Sequence, residues 1–140
     1  MQMARFIFDE LNDLISDFVS IATLPDDVID GMLNAEADIV VEAQKEKGEA
    51  YGVHRTGVTL DSIQKGKRII GKENGSSLVV YPTGRNKNGN RNAEVAFINE
   101  FGKRGQKARP FIKDANEAAA DQAVAAAMAV YDAYLKSKNL

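Results

Sequence analysis

The spacing of apolar positions changes twice along this chain, and the changes divide it into three parts. Over residues 3–21, Phe8, Leu11, Ile15 and Phe18 recur at steps of three and four, with Leu14 and Ile21 beside them. That spacing predicts an amphipathic helix. Asp9, Glu10, Asp13 and Asp17 fill much of its other side. Thr23-Leu24-Pro25-Asp26-Asp27 reads as a stop and a restart. Proline suits a first helical position, and aspartates complement the positive end of a helix. A second helix is expected from Pro25 to Gly48. Its stripe is Val28, Met32, Ala35, Ile39 and Ala43, widened by Ile29, Leu33 and Val40. Gly48 is read as its C-terminal stop.

Beyond Gly48 the helical period fades. Thr56-Gly57 reads as a turn, with Thr56 or Thr59 capping a short helix that contains Leu60 and Ile63. Lys67 to Gly71, Ser77 to Tyr81 and Ala93 to Asn99 are short, β-branched or aromatic, and bounded by turn residues. They predict strands. Glu73-Asn74-Gly75-Ser76 reads as a hairpin turn. Residues 82–92 carry no apolar side chain after Pro82, so a mobile loop containing Arg85, Lys87 and Arg91 is expected. From Pro110 to Lys136 the helical pattern returns. Ten alanines lie between Ala115 and Ala133, with a heavier stripe of Val124, Met128, Tyr131 and Leu135. Alanine has the highest helix propensity, and such a helix would be about 40 Å long at 1.5 Å per residue. The expected fold is therefore α+β: two N-terminal helices, a small antiparallel sheet of three strands with a long basic loop, and a long C-terminal helix.

Composition adds a bound on size and a charge asymmetry. At 140 residues and 44% hydrophobic, the chain suits one domain, 1–140, with a real core. Cysteine is absent, which excludes disulfides, thiolate nucleophiles and cysteine-based metal sites. No apolar run approaches the roughly 20 residues that span a bilayer. Residues 1–13 lack a signal-peptide core, so a soluble protein is expected. The formal net charge of −2 hides segmentation. Residues 1–50 hold three bases and twelve acids, residues 51–109 twelve bases and four acids, and residues 110–140 three bases and four acids. An acidic start and a basic middle suit nucleic-acid contact, or an acidic face meeting a basic face on another subunit.

Candidate chemistry is sparse. His54 is the single histidine, and it lies in a polar turn, where a surface role fits better than a triad or metal site. The acids of residues 1–50 have the spacing of a solvated helical face rather than paired glycosidase carboxylates. None follows a calcium-loop pattern. Gly84-Arg-Asn-Lys-Asn-Gly89 lacks the Gly-Lys-Ser/Thr ending and the following helix of a phosphate loop. No enzyme, cofactor or metal is expected. The basic residues Arg85, Lys87, Arg91, Lys103, Arg104, Lys107 and Arg109 form either a solvated, protein-facing surface or a phosphate-contacting one. They follow no zinc-finger, RNP or helix-turn-helix pattern.

The most individual stretch is Val95-Ala-Phe-Ile-Asn-Glu-Phe-Gly102, a basic loop, and Ala108-Arg-Pro-Phe-Ile112. It reads as a strand joined to a helix through a glycine hinge, with Phe101 and Phe111 in the core holding the loop. Glu100-Phe101-Gly102 followed by Ala108-Arg109-Pro110-Phe111 resembles the head-tail joining, or tail-completion, proteins of siphophages and prophages. Such proteins are often labelled minor tail components. Thr56-Gly57 with Asp61-Ser62-Ile63 is similar to that family's Thr-Gly-x-Leu-x-x-Ser-Ile element, with Leu60 one place later than the family's leucine. The similarity covers about residues 8–135. The resemblance implies a non-catalytic α+β virion protein, assembled in the host cytoplasm. Six copies would form a ring between neck connector and tail tube, with double-stranded DNA passing non-specifically through the bore. Its partners would be further copies, the neck connector and the tail-tube or terminator proteins, with no membrane. Phe101, Gly102, Lys103, Arg104, Lys107, Arg109, Pro110 and Phe111 are the expected assembly residues, with the basic loops ordering on docking. A tail-terminator ring protein, a nucleic-acid-binding regulator using the basic middle, and a small hydrolase are the rival readings.

Overall fold

The computed structural model describes residues 24–53, 58–71 and 75–138. The helix expected over 3–21, the turn residues Thr56 and Gly57, and His54 lie outside the described residues. Two long helices dominate the rest: α1 (Asp26–Ala50) and, at the end of the chain, α4 (Phe111–Ser137). Between them run α2 (Val58–Asp61), β1 (Ile63–Lys65), β2 (Ile69–Ile70), β3 (Ser76–Ser77), β4 (Val80–Pro82) and α3 (Asn92–Phe101). The architecture is α+β, closed by a long C-terminal helix.

Helix α1 starts one residue later than expected. Pro25 occupies the cap position, and its carbonyl accepts hydrogen bonds from the Val28 and Ile29 amides. Asp26 and Asp27 in the first turn and Lys47 in the last complement the helix dipole. The buried positions are Val28, Met32, Leu33, Ala37, Gln44 and Gly48, a stripe rotated from the expected one. Gly48 does not end the helix. It lies inside α1, where an added Cβ would sit 2.3 Å from Leu60 Cδ2. Buried Leu60 packs directly on the helix backbone at this glycine, so a side chain here would force Leu60 to shift.

Helix α4 buries Phe111, Ala115, Ala119, Ala123, Ala127 and Tyr131, one residue every fourth position. Small side chains in that row let α1 approach closely. Val124, Met128 and Leu135, expected as the main stripe, instead flank the cluster of Val28, Met32, Ala127 and Tyr131. The first turns of α1 thus meet the last turns of α4. At the other end Gln44 Nε2 donates to Asn116 Oδ1 at 3.0 Å, and the Tyr51 hydroxyl donates to Asp114 Oδ2 at 2.5 Å. The two helices are therefore antiparallel.

The β structure differs from the expected three-stranded sheet. β1 pairs with β4 antiparallel, with Ile63 opposite Pro82 and Lys65 opposite Val80. β2 pairs with β3, as a hairpin should. Ile63, expected in a helix, is a buried strand residue. Lys65 Nζ meets Asp38 at 2.8 Å. Arg68 bonds both Ser76 Oγ and Asp26 Oδ1, fastening the hairpin to the start of α1. Residues 93–99, expected as a strand, belong to helix α3. A second core cluster of Val53, Leu60, Ile63, Ala96 and Phe111 sits where α2, β1, α3 and α4 converge.

Candidate functional site

The residues singled out in the sequence gather around α3. This helix forms because Asn92, Ala96 and Glu100, four apart, share one buried face. A short apolar run such as Val95-Ala-Phe-Ile98 cannot be told from a strand by periodicity alone. Burial of the fourfold series decides it. Phe97 and Phe101 are also four apart, and they point outward. They are 62% and 67% exposed, with ring centroids 4.7 Å apart and tilted at 49°. Phe101 therefore does not sit in the core, as expected, whereas Phe111 is fully buried.

The end of α3 is braced on several sides. Glu100 is 8% exposed, and its carboxylate accepts hydrogen bonds from the amides of Ile112 (2.8 Å) and Lys113 (2.9 Å). Pro110 at the cap of α4 provides no side-chain bond, so Glu100 caps α4 from another helix. A carboxylate at that position also meets the positive end of the helix dipole. Gly102 adopts φ 79°, ψ 177°, a region open essentially to glycine alone. An added Cβ there would lie 2.8 Å from both Ala108 N and Gln106 O. The hinge reading of Gly102 becomes specific: the returning chain crosses against its Cα.

The basic loop beyond Gly102 is a folded turn. Lys103 and Gln106 exchange backbone hydrogen bonds of 3.0 and 2.9 Å. Lys103, Arg104, Lys107 and Arg109 are exposed. Arg109 is tied down: its amide donates to Asn99 O at 2.6 Å, and Nη1 donates to Gly52 O at 3.1 Å. Pro110 is half-buried. Tyr51 lies close by. Its hydrogen bond to Asp114 holds the phenol pKa above its usual value, with help from burial and from the charges of Asp114 and Glu100.

Arg85, Lys87 and Arg91 sit at the other end of α3. They are exposed, but their segment does not lack anchors, as its polar composition suggested. Asn92 is 2% exposed, and its Nδ2 donates to Thr83 O at 2.8 Å.

Among the described residues no group of three or more histidine, cysteine or carboxylate side chains could hold a metal. A shallow groove between α1 and α4 is lined mainly by Ala43, Ala50, Ala115, Ala118 and Ala119, with Glu46, Lys47 and Gln122 as its polar members. No helix among the described residues is long and apolar enough to cross a membrane.

The sequence reading missed two features. Phe97 forms half of the exposed ring pair, and the signal was its fourfold spacing to Phe101 once a helix is assumed. Glu100 as a cap had no local signal, because its partners lie 12 and 13 residues ahead. What the arrangement offers is a rigid platform with an aromatic face and a cationic turn. Comparison with protein-family models, with curated proteins and with solved structures returns no match in any of the three.

Proposed function

We propose that this protein is a non-catalytic assembly component of a long-tailed bacteriophage or prophage, acting at the head-tail neck as a joining or tail-completion subunit. The observation that carries the reading is the exposed Phe97–Phe101 pair on a braced helix beside the turn Lys103–Lys107. Clustered exposed aromatic rings with a basic rim have the composition of a docking surface. The α+β architecture with a long C-terminal helix is of the class that the resemblance of Glu100-Phe101-Gly102 and Ala108-Arg109-Pro110-Phe111 implies, although the segment leading into Glu100 is helix α3 rather than a strand. In this reading the partners are further copies in a hexameric ring, the neck connector and the tail-tube or terminator proteins. The protein then resides in the virion after assembly in the bacterial cytoplasm.

Because the face is already braced, docking needs little ordering of α3. Any contact ordering further residues would cost roughly 1–2 kcal/mol for each. The experiment is complementation of a phage lacking this gene with Arg104→Glu/Lys107→Glu and, separately, Phe101→Ala. Both variants should fold, and both should yield separate heads and tails by electron microscopy. Normal yields of infectious particles from both would refute the reading.

A further inference from the structure

We propose that residues 82–92 form a preorganised cationic finger that grips the phosphate backbone of double-stranded DNA. From Arg85 to Asn92 every second residue is asparagine, with Gly89 the one odd position that is not a base. Bases stand at 85, 87 and 91, and asparagines at 86, 88, 90 and 92. Arg85 and Arg91 are antiparallel bridge partners, so their side chains share one face. Directly opposed residues have Cβ atoms about 4.5–5.5 Å apart, and like charges there destabilise the pair. The fold nevertheless holds them together, and the asparagines do the holding. Asn86 Oδ1 accepts from the amides of Asn88 and Asn90, both at 3.0 Å. The Asn86 amide donates to Asn90 O at 2.8 Å. Buried Asn92 roots the segment on Thr83 O. Arg85 Nη1 donates to Gly89 O at 2.7 Å, leaving four of its five donors for a ligand.

Two basic residues of the described chain are paired with acids, Lys65 with Asp38 and Arg68 with Asp26. Arg85, Lys87 and Arg91 join no ion pair among the described residues. The nearest acid in sequence is exposed Glu94, in the first turn of α3, and none lies between residues 83 and 93. Two like charges fixed side by side are relieved by a polyanion, and the absence of apolar side chains disfavours a hydrophobic protein partner.

The size of the anion follows from α3. α3 is about 15 Å long, ten residues at 1.5 Å each, and the finger and the turn Lys103–Lys107 lie at its two ends. Duplex DNA carries one charge per about 1.7 Å of axis, so about nine phosphate charges span that length. A single phosphate cannot bridge it, whereas a rigid duplex can. The finger lies at the other end of α3 from the Phe97–Phe101 pair; the duplex shares only the turn Lys103–Lys107 with that face, and the finger's grip on phosphate does not depend on the neck reading.

The test is fluorescence anisotropy of the full chain with a duplex of about 24 base pairs and arbitrary sequence, between about 0.05 and 0.2 M salt. Binding should be indifferent to sequence and fall steeply with salt. Arg85→Gln/Arg91→Gln should flatten the log–log salt slope by about 1.8 and weaken binding roughly 60-fold at 0.1 M salt, at about 0.9 per lost phosphate contact. Lys136→Gln/Lys138→Gln removes the same charge near the far end of α4 and should change affinity less than about threefold. Circular dichroism should show both variants folded, since the first removes a repulsion. No binding at 0.05 M salt, equal losses in the two variants, or full competition by millimolar inorganic phosphate would overturn the proposal. If the first variant loses DNA yet still joins heads to tails, the finger stands apart from the neck role.

Discussion

The α1–α4 pair and the α3 platform follow opposite rules within one small protein. Along α4 the inward row is alanine after alanine, and its polar contacts are internal: Gln44 to Asn116 and Tyr51 to Asp114. Around α3 the apolar rings and the positive charges face out, while the acid Glu100 is turned in. Phe101 and Phe111 condense the contrast. They lie ten positions apart, flanking one loop, yet the first is two-thirds exposed and the second fully buried. The difference teaches that exposure here is not looseness. The α3 face is braced by a carboxylate cap, a glycine crossing and the hydrogen bonds of Arg109 to the Asn99 and Gly52 carbonyls, which hold its end against the rest of the fold.

That contrast can be broken most forcefully at Phe111. Phe111→Ala should cost about 3–5 kcal/mol, through lost transfer energy and a cavity at the junction of α2, β1, α3 and α4. Urea unfolding should show a lowered midpoint, and a shift below about 1 kcal/mol would place the junction outside the core. Next comes the brace. Gly102→Ala forces a side chain into both a positive-φ region and a backbone contact, and should destabilise by about 2–3 kcal/mol in the same assay. Glu100→Ala leaves two amides at the start of α4 without their cap, at a cost of about 1–3 kcal/mol. Hydrogen exchange at Ile112 and Lys113 should accelerate selectively, and unchanged protection there would remove Glu100 from the brace.

A subtler effect lies at Tyr51. Its folded pKa is raised, so the stability it contributes is complete below its ordinary value near 10 and is lost as pH climbs through the raised one. Wild type should therefore be more stable than Tyr51→Phe at neutral pH, with the gap closing above about pH 10. A gap independent of pH would show that the Asp114 bond does not govern this phenol. The smallest effect should be at Phe101. Phe101→Ala should alter stability by no more than about 0.5 kcal/mol, because most of its surface is already in water. A large loss would mean that the platform and the core are not separate.

Much of the scaffold was legible. The α1 and α4 helices were read to within two residues at each end, because long periodic runs and alanine content leave little ambiguity. The hairpin of β2 and β3 followed from turn residues around Gly75. The errors cluster where elements are short. Ala93 to Asn99 has strand-like composition, but burial of Asn92, Ala96 and Glu100 on one side makes it helical. Ile63 moved from helix to strand because pairing with Pro82 buries it against Phe111. The basic residues of the platform were all named from sequence, whereas Phe97 was not, and Phe101 was given the wrong environment.

The division has a physical basis. Sequence alone determined what depends on neighbours along the chain: helix period, alanine content, turn chemistry, and the separation of acidic and basic segments. Only the tertiary structure decided which of two phenylalanines is buried, which leucine packs on Gly48, why Gly102 cannot carry a side chain without strain, and which acid caps α4. Each of those outcomes is set by atoms that residues distant in the chain bring within contact range, and no local pattern encodes such encounters.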